Sequence, residues 1–443
     1  MKICFNTLGC SKNTVDSENA MALLENRGHE IISIPDEADC IIVNTCAFIN
    51  DAKEQSIDTI LDMAKYRENG AILVITGCLS QRYAKELKDE MPEADIILGV
   101  NTYDSLPDIL EEYIQNGKRI IRAEAEADSY CEIPVRKIDE SSYYSYIKIS
   151  EGCNRVCSYC IIPSIRGHFR SRKMEYIVSE AEFIAASGCS ELLIIAQDTT
   201  AYGIDIYGEY KLAELLKRLC KIEGLHRIRL LYCYEDEITE ELIETVRDED
   251  KICKYLDIPL QHYSRHILED MNRVSTPESI KKTIEKLRKA IPDIHIRTTF
   301  IAGFPGETQE DFDILADFIE KTEFDRLGVF AYSQEENTAA GEMTNQIDED
   351  VKEARRDTLM EIQRDISLKK NIAKIGNVYE VIVDEKEDEK TYIGRTEFDS
   401  PEIDNGVIFT SERELFPGEY VFVRITDAFD YDLVGVLEEA QKK

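Results

Sequence analysis

Long apolar runs are missing from this chain of 443 residues. No stretch approaches the roughly 20 consecutive apolar residues that a transmembrane helix needs. The N-terminal segment MKICFNTLGC also lacks the basic start and the unbroken apolar stretch of a secretory signal. Because neither feature is present, we expect a cytoplasmic protein without a membrane partner.

Basic residues are scarce as well. The chain contains 53 Lys and Arg against 88 Asp and Glu, which gives a formal net charge of −35. Such a charge repels the phosphate backbone of a nucleic acid unless a local basic patch outweighs it. The composition therefore favours a basic partner over an RNA partner.

The 13 cysteines do not indicate a disulfide framework. Their number is odd, and thiols in the cytosol stay reduced, so metal binding or catalysis accounts for them better. Six of them fall into two groups of three, which are described below. Most of the others are expected to be small buried side chains. These seven are Cys4, Cys40, Cys131, Cys189, Cys220, Cys233 and Cys253.

The chain shows no low-complexity segment and no repeat of fixed period, and its length allows two or three domains. Residues 1–122 alternate short apolar runs with amphipathic stretches, which is typical of a mostly parallel α/β sheet. The predicted strands are KICFNTLG, CIIVNTC, AILVITGC and ADIILGV, and the predicted helices span residues 16–28, 51–69 and 80–90. Residues 123–142 are polar, contain Pro134 and are predicted to form a linker.

A second alternating series occupies residues 143–375. Its six strands predict an open (βα)6 barrel, which carries its chemistry at the carboxyl ends of the strands. They are YSYIKIS, ELLIIAQ, RIRLLYC, YLDIPLQ, HIRTTFIAG and RLGVFAY. A charged helix over about 348–374 is expected to pack back on this barrel. Residues 376–443 contain five short β runs separated by turns, which predict a small five-stranded antiparallel barrel of OB-like size.

The strongest chemical motif is EGCNRVCSYCIIP, which directly follows the first strand of the predicted barrel. Its cysteines Cys153, Cys157 and Cys160, here called the loop cysteines, have CxxxCxxC spacing, and iron-sulfur clusters are held by thiolates. Three thiolates leave one iron of a 4Fe-4S cluster open to the amino and carboxylate groups of S-adenosylmethionine (SAM). The motif therefore predicts a radical SAM site. A zinc site, which normally closes with a fourth Cys or His, and unrelated buried thiols are the alternatives.

A second group of cysteines depends on the fold. Cys10, Cys46 and Cys78, here called the N-terminal cysteines, each close a predicted strand, in the contexts NTLGC, IVNTC and VITGC. If the three strands are parallel neighbours, the thiols emerge at the edge of the sheet where ligands bind. The pattern predicts a second 4Fe-4S cluster with one open iron. Three small residues at strand ends are the alternative interpretation.

Polar residues near the ends of the predicted barrel strands are candidates for contacts with SAM or substrate. Gln197 and Asp198 follow the second strand, where a solvated loop is the alternative. Arg229, on the third strand, could meet the SAM carboxylate or pair with a barrel acid. Gln261 and His262 follow the fourth strand within reach of a substrate, although a lone His in such a place is more often structural.

The segment RTTFIAGFPGET offers further SAM contacts through Thr298, Gly303 and Gly306. Glycines allow a close approach of the backbone to a ligand, whereas a turn with a helix cap explains the same residues. No catalytic residue is assigned. The predicted SAM contacts are Gln197, Arg229, Thr298 and Gly303.

Taken together, the motifs resemble the methylthiotransferase family of radical SAM enzymes. The matching segments are LGCSKNTVDSE (8–18), NTCAFI (44–49), TGCLSQR (76–82), SEGCNRVCSYCIIPSIRG (150–167), IPLQH (258–262) and FIAGFPGET (300–308). The resemblance covers essentially the whole chain and implies an N-terminal three-cysteine domain, a radical SAM barrel and a C-terminal TRAM domain. The segments LGCSKNTVDSE, LLYCYEDEIT and YDLVGVL are most similar to the branch that methylthiolates an aspartate of ribosomal small-subunit protein twelve. Glu235 departs from the proline expected in the second of these segments.

The resemblance also implies that two clusters have different roles in the reaction. One SAM would supply a methyl group to sulfur held at the open iron of the cluster on the N-terminal cysteines. The other, cleaved at the loop cysteines, would give the radical that removes hydrogen from the β-carbon of the aspartate. Such an unactivated C–H bond has no acidic proton, so a radical cofactor is needed. A reductant and a sulfur donor, neither identified by the sequence, would take part.

Two alternatives remain open: a tRNA adenosine methylthiotransferase of the same class, and a non-enzymatic iron-sulfur electron carrier. Residues 376–443 contain 18 Asp and Glu against 7 Lys and Arg, a net charge of −11 in 68 residues. This charge opposes RNA binding and favours a basic ribosomal protein. An acidic surface that only aids solubility is the other interpretation of this domain.

Overall fold

The computed structural model describes residues 1–123, 132–133 and 135–438, so Cys131 and Pro134 lie outside the described residues. It contains three main sheets in chain order: a parallel sheet, an open barrel and a closed barrel. Across these described ranges, no helix is long and apolar enough to cross a membrane.

The first sheet forms from the N-terminal part of the chain. Its strands are β1 (Lys2–Thr7), β2 (Glu30–Ile32), β3 (Cys40–Thr45), β4 (Ile72–Gly77), β5 (Ile96–Leu98) and β6 (Ile120–Arg122). All pairs are parallel, in the order β2–β1–β3–β4–β5–β6. The four predicted strands and the parallel sheet are confirmed. Strands β2 and β6 have three residues each, too few to show an alternating pattern.

Helices cover this sheet, and the central strand β3 is buried at all six positions, as expected for a parallel strand between helices. The helices are α1 (Ser11–Asn26), α2 (Asn50–Ala64), α3 (Cys78–Arg82), α4 (Ala84–Glu90) and α5 (Leu106–Asn116). Helix α1 begins five residues before the predicted start at position 16, and α5 was not among the predicted helices.

The central part of the chain forms the predicted open barrel. Its strands are β7 (Tyr144–Lys148), β10 (Glu191–Ile195), β11 (Arg227–Leu230), β12 (Ile252–Asp257), β13 (His295–Ala302) and β14 (Arg326–Ala331), and a short antiparallel pair, β8 (Ser150–Glu151) and β9 (Arg170–Ser171), lies beside them. The six long strands are parallel, in the order β14–β13–β12–β11–β10–β7. This arrangement confirms the (βα)6 prediction.

The helices of the barrel follow its strands. They are α6 (Ile162–Arg166), α7 (Met174–Ala186), α8 (Ile204–Tyr207), α9 (Leu212–Leu219), α10 (Glu240–Asp248), α11 (Arg265–Asp270), α12 (Pro277–Ala290), α13 (Gln309–Thr322) and α14 (Glu349–Ile372). Capping boxes at Thr276 and Thr308 fix the starts of α12 and α13 by satisfying free backbone N–H groups. Helix α14 packs back on the barrel as predicted: Gln363 donates to the carbonyl of Phe324 at 3.0 Å, and both side chains are buried.

The described residues of the predicted linker have neither helix nor strand between 132 and 142. Within this segment the buried side chain of Arg136 donates to Glu18 of α1 at 2.7 Å and to Glu180 of α7 at 2.8 Å. The segment therefore ties the first sheet to the barrel through an ion-pair bridge.

The C-terminal part of the chain forms a closed five-stranded barrel. Its strands are β15 (Val378–Lys386), β16 (Thr391–Arg395), β17 (Val407–Thr410), β18 (Tyr420–Ala428) and β19 (Leu433–Leu437). Four of the five pairings are antiparallel, but β17 and β19 pair in parallel. The predicted barrel is confirmed, and its description as antiparallel is corrected at this one pairing. The reason is that β18 reverses the chain between β17 and β19, so these two strands run in the same direction when closure brings them together.

Buried ion pairs join the closed barrel to the amino ends of the open-barrel strands. Glu191, the first residue of β10, has no exposed side-chain surface and accepts from Arg229 and from Arg395, each at 2.9 Å. Arg326, the first residue of β14, pairs with Asp399. Further acidic residues of the C-terminal part that contact the open barrel are Glu380, Asp384, Glu397, Glu402 and Asp404. Part of the negative charge of this domain therefore holds the molecule together.

Two cysteine sites at the carboxyl ends of the strands

The N-terminal cysteines lie at the carboxyl ends of three neighbouring parallel strands. Cys10 precedes α1, Cys46 follows β3, and Cys78 begins α3 immediately after β4. Strand β3 pairs with β1 on one side and with β4 on the other. The three strands are therefore parallel neighbours, as the sequence pattern required for the three thiols to emerge at one edge of the sheet. Cys46 and Cys78 are buried, and Cys10 is exposed.

Gly9 allows the backbone before Cys10 to approach Cys46. Its φ is +92°, in the left-handed region that favours glycine. A β-carbon at position 9 would lie 2.8 Å from the Cβ of Cys46 and 3.0 Å from its sulfur. A side chain at position 9 would therefore collide with Cys46, and glycine lets the loop that carries Cys10 lie directly against it.

The loop cysteines follow β8 and precede α6. Cys153 and Cys157 are buried and Cys160 is half-buried, and the backbone N–H of Arg155 donates to the sulfur of Cys153 at 3.3 Å. Burial raises the pKa of Cys153 and of Cys160 to about 12. These thiols therefore keep their protons until a metal displaces them.

Each cysteine site offers three thiols as possible ligands. Over the ranges that the structure describes, no three Cys, His, Asp or Glu side chains stand close enough to hold one metal ion. A four-iron cluster is larger than one ion and spreads its thiolates further apart. The donor set, three thiols at each of two places, is the one that such clusters use.

Arg166, the last residue of α6, connects the two cysteine sites. Its buried guanidinium lies 3.4 Å from the sulfur of Cys78 and donates to Asn13 at 2.6 Å and to Asp16 at 2.7 Å. The same helix α6 follows the loop cysteines directly. A cation fixed here stabilises negative charge on the sulfur of Cys78. Sequence reasoning did not identify Arg166, although it lies in the matching segment SIRG.

Gln197 lies beside the cysteine loop, as a SAM contact would require. Its amide donates to Glu151 at 2.7 Å, and Glu151 is two residues before Cys153. Burial favours the neutral form of Glu151, but Lys148 and Arg166 outweigh it and lower its pKa to about 2. The neighbouring Asp198 pairs with Arg155 of the cysteine loop at 3.0 Å.

Arg229 lies at the other end of the barrel. Its fully buried guanidinium pairs with Glu191 and donates to the carbonyl of Glu397 at 2.8 Å. The expected contact with the SAM carboxylate is therefore corrected in favour of the alternative, an ion pair with a barrel acid. The physical reason is that the side chain points toward the amino ends of the strands, where the closed barrel supplies its partners.

Thr298 and Gly303 have local structural partners. The hydroxyl of Thr298 is buried in the middle of β13 and donates to the carbonyl of Ile258 at 2.9 Å. Gly303 follows β13 with a φ of +73°, and its N–H donates to Glu307 at 2.9 Å. A β-carbon at Gly303 would lie 2.4 Å from the side chain of Lys352, so the close approach at this glycine is made by α14.

His262 has the structural role that a lone histidine usually has. It is completely buried, and its Nδ1 accepts from the backbone N–H of Ser264 at 3.0 Å. Its Nε2 lies 3.3 Å from the carboxylate of Glu307. The preceding Gln261 has a φ of +71° and bridges to Phe300 of β13.

Glu235 occupies the position where proline was expected. It is buried, and its carboxylate pairs with Arg273 at 3.1 Å. The guanidinium of Arg273 also lies 4.9 Å from the centre of the Tyr234 ring. Burial raises the pKa of Glu235 despite the cation beside it. The substitution therefore brings an ion pair that a proline could not form.

The other cysteines are mostly buried, as expected. Cys131 lies outside the described residues, and Cys220 is half-buried. The buried ones are Cys4, Cys40, Cys189, Cys233 and Cys253.

Three protein families match successive parts of the chain. They are Uncharacterized protein family UPF0004 over residues 2–99, the Radical SAM superfamily over residues 147–319, and the TRAM domain over residues 375–437. The matches follow the three sheets in order.

Close relatives share nearly the full length. Ribosomal protein uS12 methylthiotransferase RimO from Clostridioides difficile (strain 630) is 49% identical over 437 residues, covering 98% of each chain. The protein of the same name from Lachnoclostridium phytofermentans is 47% identical over 442 residues, covering 99% of this chain and all of the relative.

Solved structures share the fold at low identity. The radical SAM methyltransferase TsrM from Kitasatospora setae, with cobalamin and a 4Fe-4S cluster bound, has a TM-score of 0.57 at 16% identity and covers 77% of each chain. The cobalamin-dependent radical SAM enzyme OxsB has a TM-score of 0.55 at 13% identity and covers 82% of this chain and 56% of its own.

Proposed function

Because this chain belongs to the RimO family of ribosomal protein uS12 methylthiotransferases, we propose that it attaches a methylthio group to the β-carbon of an aspartate of uS12. The observation that carries the proposal is the pair of three-cysteine sites. The N-terminal cysteines lie at the carboxyl ends of parallel strands, and the loop cysteines follow the short strand β8. Arg166 contacts the N-terminal site from α6, the helix that follows the loop cysteines. An electron carrier would need neither an open barrel nor two separate three-thiol sites.

We infer that the N-terminal cysteines hold one 4Fe-4S cluster and the loop cysteines a second one, next to which SAM binds. When bound, these groups would hold the incoming sulfur and supply the methyl group and the radical that removes hydrogen from an unactivated carbon. The side chains and backbone of the protein position the cysteine sulfurs and compensate their negative charge. Arg166 places a positive charge beside Cys78, and the backbone N–H of Arg155 donates to Cys153. Gln197, held by Glu151, is the remaining candidate for a polar contact with SAM.

The charge of the C-terminal domain supports a basic protein as the substrate. Six of its 18 acidic residues contact the open barrel, and others remain exposed at the turn between β15 and β16. They are Glu385, near the end of β15, and Glu387, Asp388 and Glu389 in the turn itself. These charges attract Lys and Arg and repel phosphate, so tRNA is the less favoured partner. We place the reaction in the cytoplasm, with a reductant and a sulfur donor that the chain does not identify.

Mass spectrometry of the candidate substrates tests this proposal. Reconstituted enzyme is incubated without oxygen with SAM, a reductant, a sulfide source and either purified uS12 or tRNA. We expect a methylthio group on an aspartate of uS12, together with 5′-deoxyadenosine from SAM. Methylthiolated adenosine in tRNA with unmodified uS12 would support the tRNA alternative instead. An electron carrier would form no 5′-deoxyadenosine.

A further inference from the structure

Lys12 is a buried cation that has no anionic partner among the described residues. It lies in the first turn of α1, two residues after Cys10, and its exposed fraction is 6%. Its Nζ lies 3.0 Å from the centre of the Tyr232 ring. Within the part of the chain that the structure describes, its ammonium makes no ion pair and no hydrogen bond. The aromatic ring is thus the one group that compensates its charge there.

This environment differs from that of the other buried lysines. Lys148 pairs with both Asp16 and Glu151, and Lys352 pairs with Glu349 at 2.9 Å. Burying a charge is costly unless an opposite charge or several hydrogen bonds compensate it. A cation–π contact returns only part of that cost. The position of Lys12 is therefore suited to an anion that arrives from outside the chain.

Lys12 lies between the two cysteine sites. On one side, the next residue, Asn13, donates to the carbonyl of Thr45, directly before Cys46. On the other side, Tyr232 follows β11 at the carboxyl end of the barrel, and its carbonyl accepts from the N–H of Thr199 at 3.1 Å. The residue before Thr199 is Asp198, which holds Arg155 of the cysteine loop. An anion bound at Lys12 is therefore close to both sites.

We propose that Lys12 binds the side-chain carboxylate of the aspartate that the enzyme modifies, an inference that rests on the proposed function. The ammonium moves from the ring of Tyr232 to the carboxylate, and a charge-assisted hydrogen bond fixes the carboxylate. The β-carbon is bonded directly to that carboxylate, so the same contact positions the carbon that reacts. It also rejects asparagine, whose neutral amide would leave the buried ammonium without an anion.

Binding of two matched peptides tests this role. One peptide carries the target aspartate of uS12 with its flanking residues, and the other has asparagine in that place. Full-length enzyme with both clusters reconstituted should bind the aspartate peptide about 10- to 100-fold more tightly. In Lys12→Met the affinity for the aspartate peptide should fall to that for the asparagine peptide, and Lys12→Arg should restore part of the preference. Lys85→Met, an exposed position on α4, is the matched control and should keep it.

Several results would overturn the inference. One is equal affinity of the unaltered enzyme for the two peptides, which needs no variant to fold. Another is a Lys12→Met enzyme with full iron that still prefers aspartate. A third is weaker binding of SAM in that variant with the peptide preference intact, which would make the SAM carboxylate the anion. Failure of the proposed function looks different, because the unaltered enzyme would then leave the aspartate of uS12 unmodified.

Discussion

Gly9 controls how closely two of the N-terminal cysteines approach each other. Two separate effects act at this position: a left-handed backbone conformation and a lack of space against Cys46. Gly70 has the same φ of +92°, but a β-carbon there would meet nothing within 4 Å. Comparison of the two glycines therefore separates backbone strain from crowding.

We expect Gly9→Ala to lose the N-terminal cluster and with it about half of the bound iron, because the new methyl group overlaps Cys46. Gly70→Ala should keep all of the iron and lose only about 1–2 kcal/mol of stability from the left-handed conformation. Iron analysis of the two reconstituted variants is the measurement. Equal iron in both would show that Gly9 does not shape the site.

At the residue scale, the sequence predicted where a residue lies in the fold better than which residues its side chain contacts. The cysteines could be located because each follows an apolar run, and a strand end is fixed by its own short sequence. Arg229 could not be resolved, since its partner Glu191 lies on another strand and its second partner, Glu397, is almost 170 residues away in the chain. The roles of Arg166 and Lys12 also depend on contacts between domains, which no local spacing encodes.

At the scale of elements, the junction between β10 and the closed barrel depends on one carboxylate. Glu191 is surrounded by cations from both domains and is completely buried. Burial favours its neutral form, but Arg395, Arg229 and Arg227 outweigh it and lower its pKa to about 2. The group therefore stabilises the fold above its ordinary pKa of 4.5, and this contribution is lost as the pH falls toward 2.

Glu191→Gln should lower the free energy of unfolding by about 3–5 kcal/mol at neutral pH, because the buried Arg229 loses its anion and Arg395 keeps only Asp384. The difference from the unaltered protein should shrink as the pH falls from about 4.5 to about 2. Urea unfolding followed at several pH values measures both effects. Glu182→Gln, exposed on α7, is the control and should change stability by less than about 0.5 kcal/mol. A Glu191→Gln difference that does not depend on pH would contradict this account of the junction.

The elements themselves were predicted well where their patterns were long. The six strands of the open barrel and the five of the closed barrel are each four residues long or more. Strands β2 and β6 were not recognised, because they have three residues each and, unlike the equally short β5 in ADIILGV, do not lie in a longer apolar run. The parallel pairing of β17 with β19 follows from barrel closure, which is a property of the whole domain.

At the scale of the whole molecule, the open barrel has different partners at its two ends. The N-terminal domain meets it at the carboxyl ends of the strands, where Lys53 and Arg82 pair with Glu335 at 3.0 and 2.8 Å. The closed barrel packs on the amino ends through the junction around Glu191. Substrate recognition by the exposed acidic turn of the closed barrel would therefore take place away from the cysteines. Composition alone predicted the acidic charge but could not show that a part of it is internal.

The most direct test of the central claim, two separate cluster sites with different tasks in one enzyme, is to remove each set of cysteines in turn. Iron, 5′-deoxyadenosine and methylthiolated uS12 are measured for both triple alanine variants. The unaltered enzyme should bind about eight irons, and each variant about half of that. Loss of the loop cysteines should abolish 5′-deoxyadenosine, whereas loss of the N-terminal cysteines should leave it and abolish methylthiolation. Full iron in the variant without the N-terminal cysteines, or methylthiolation by it, would contradict the account.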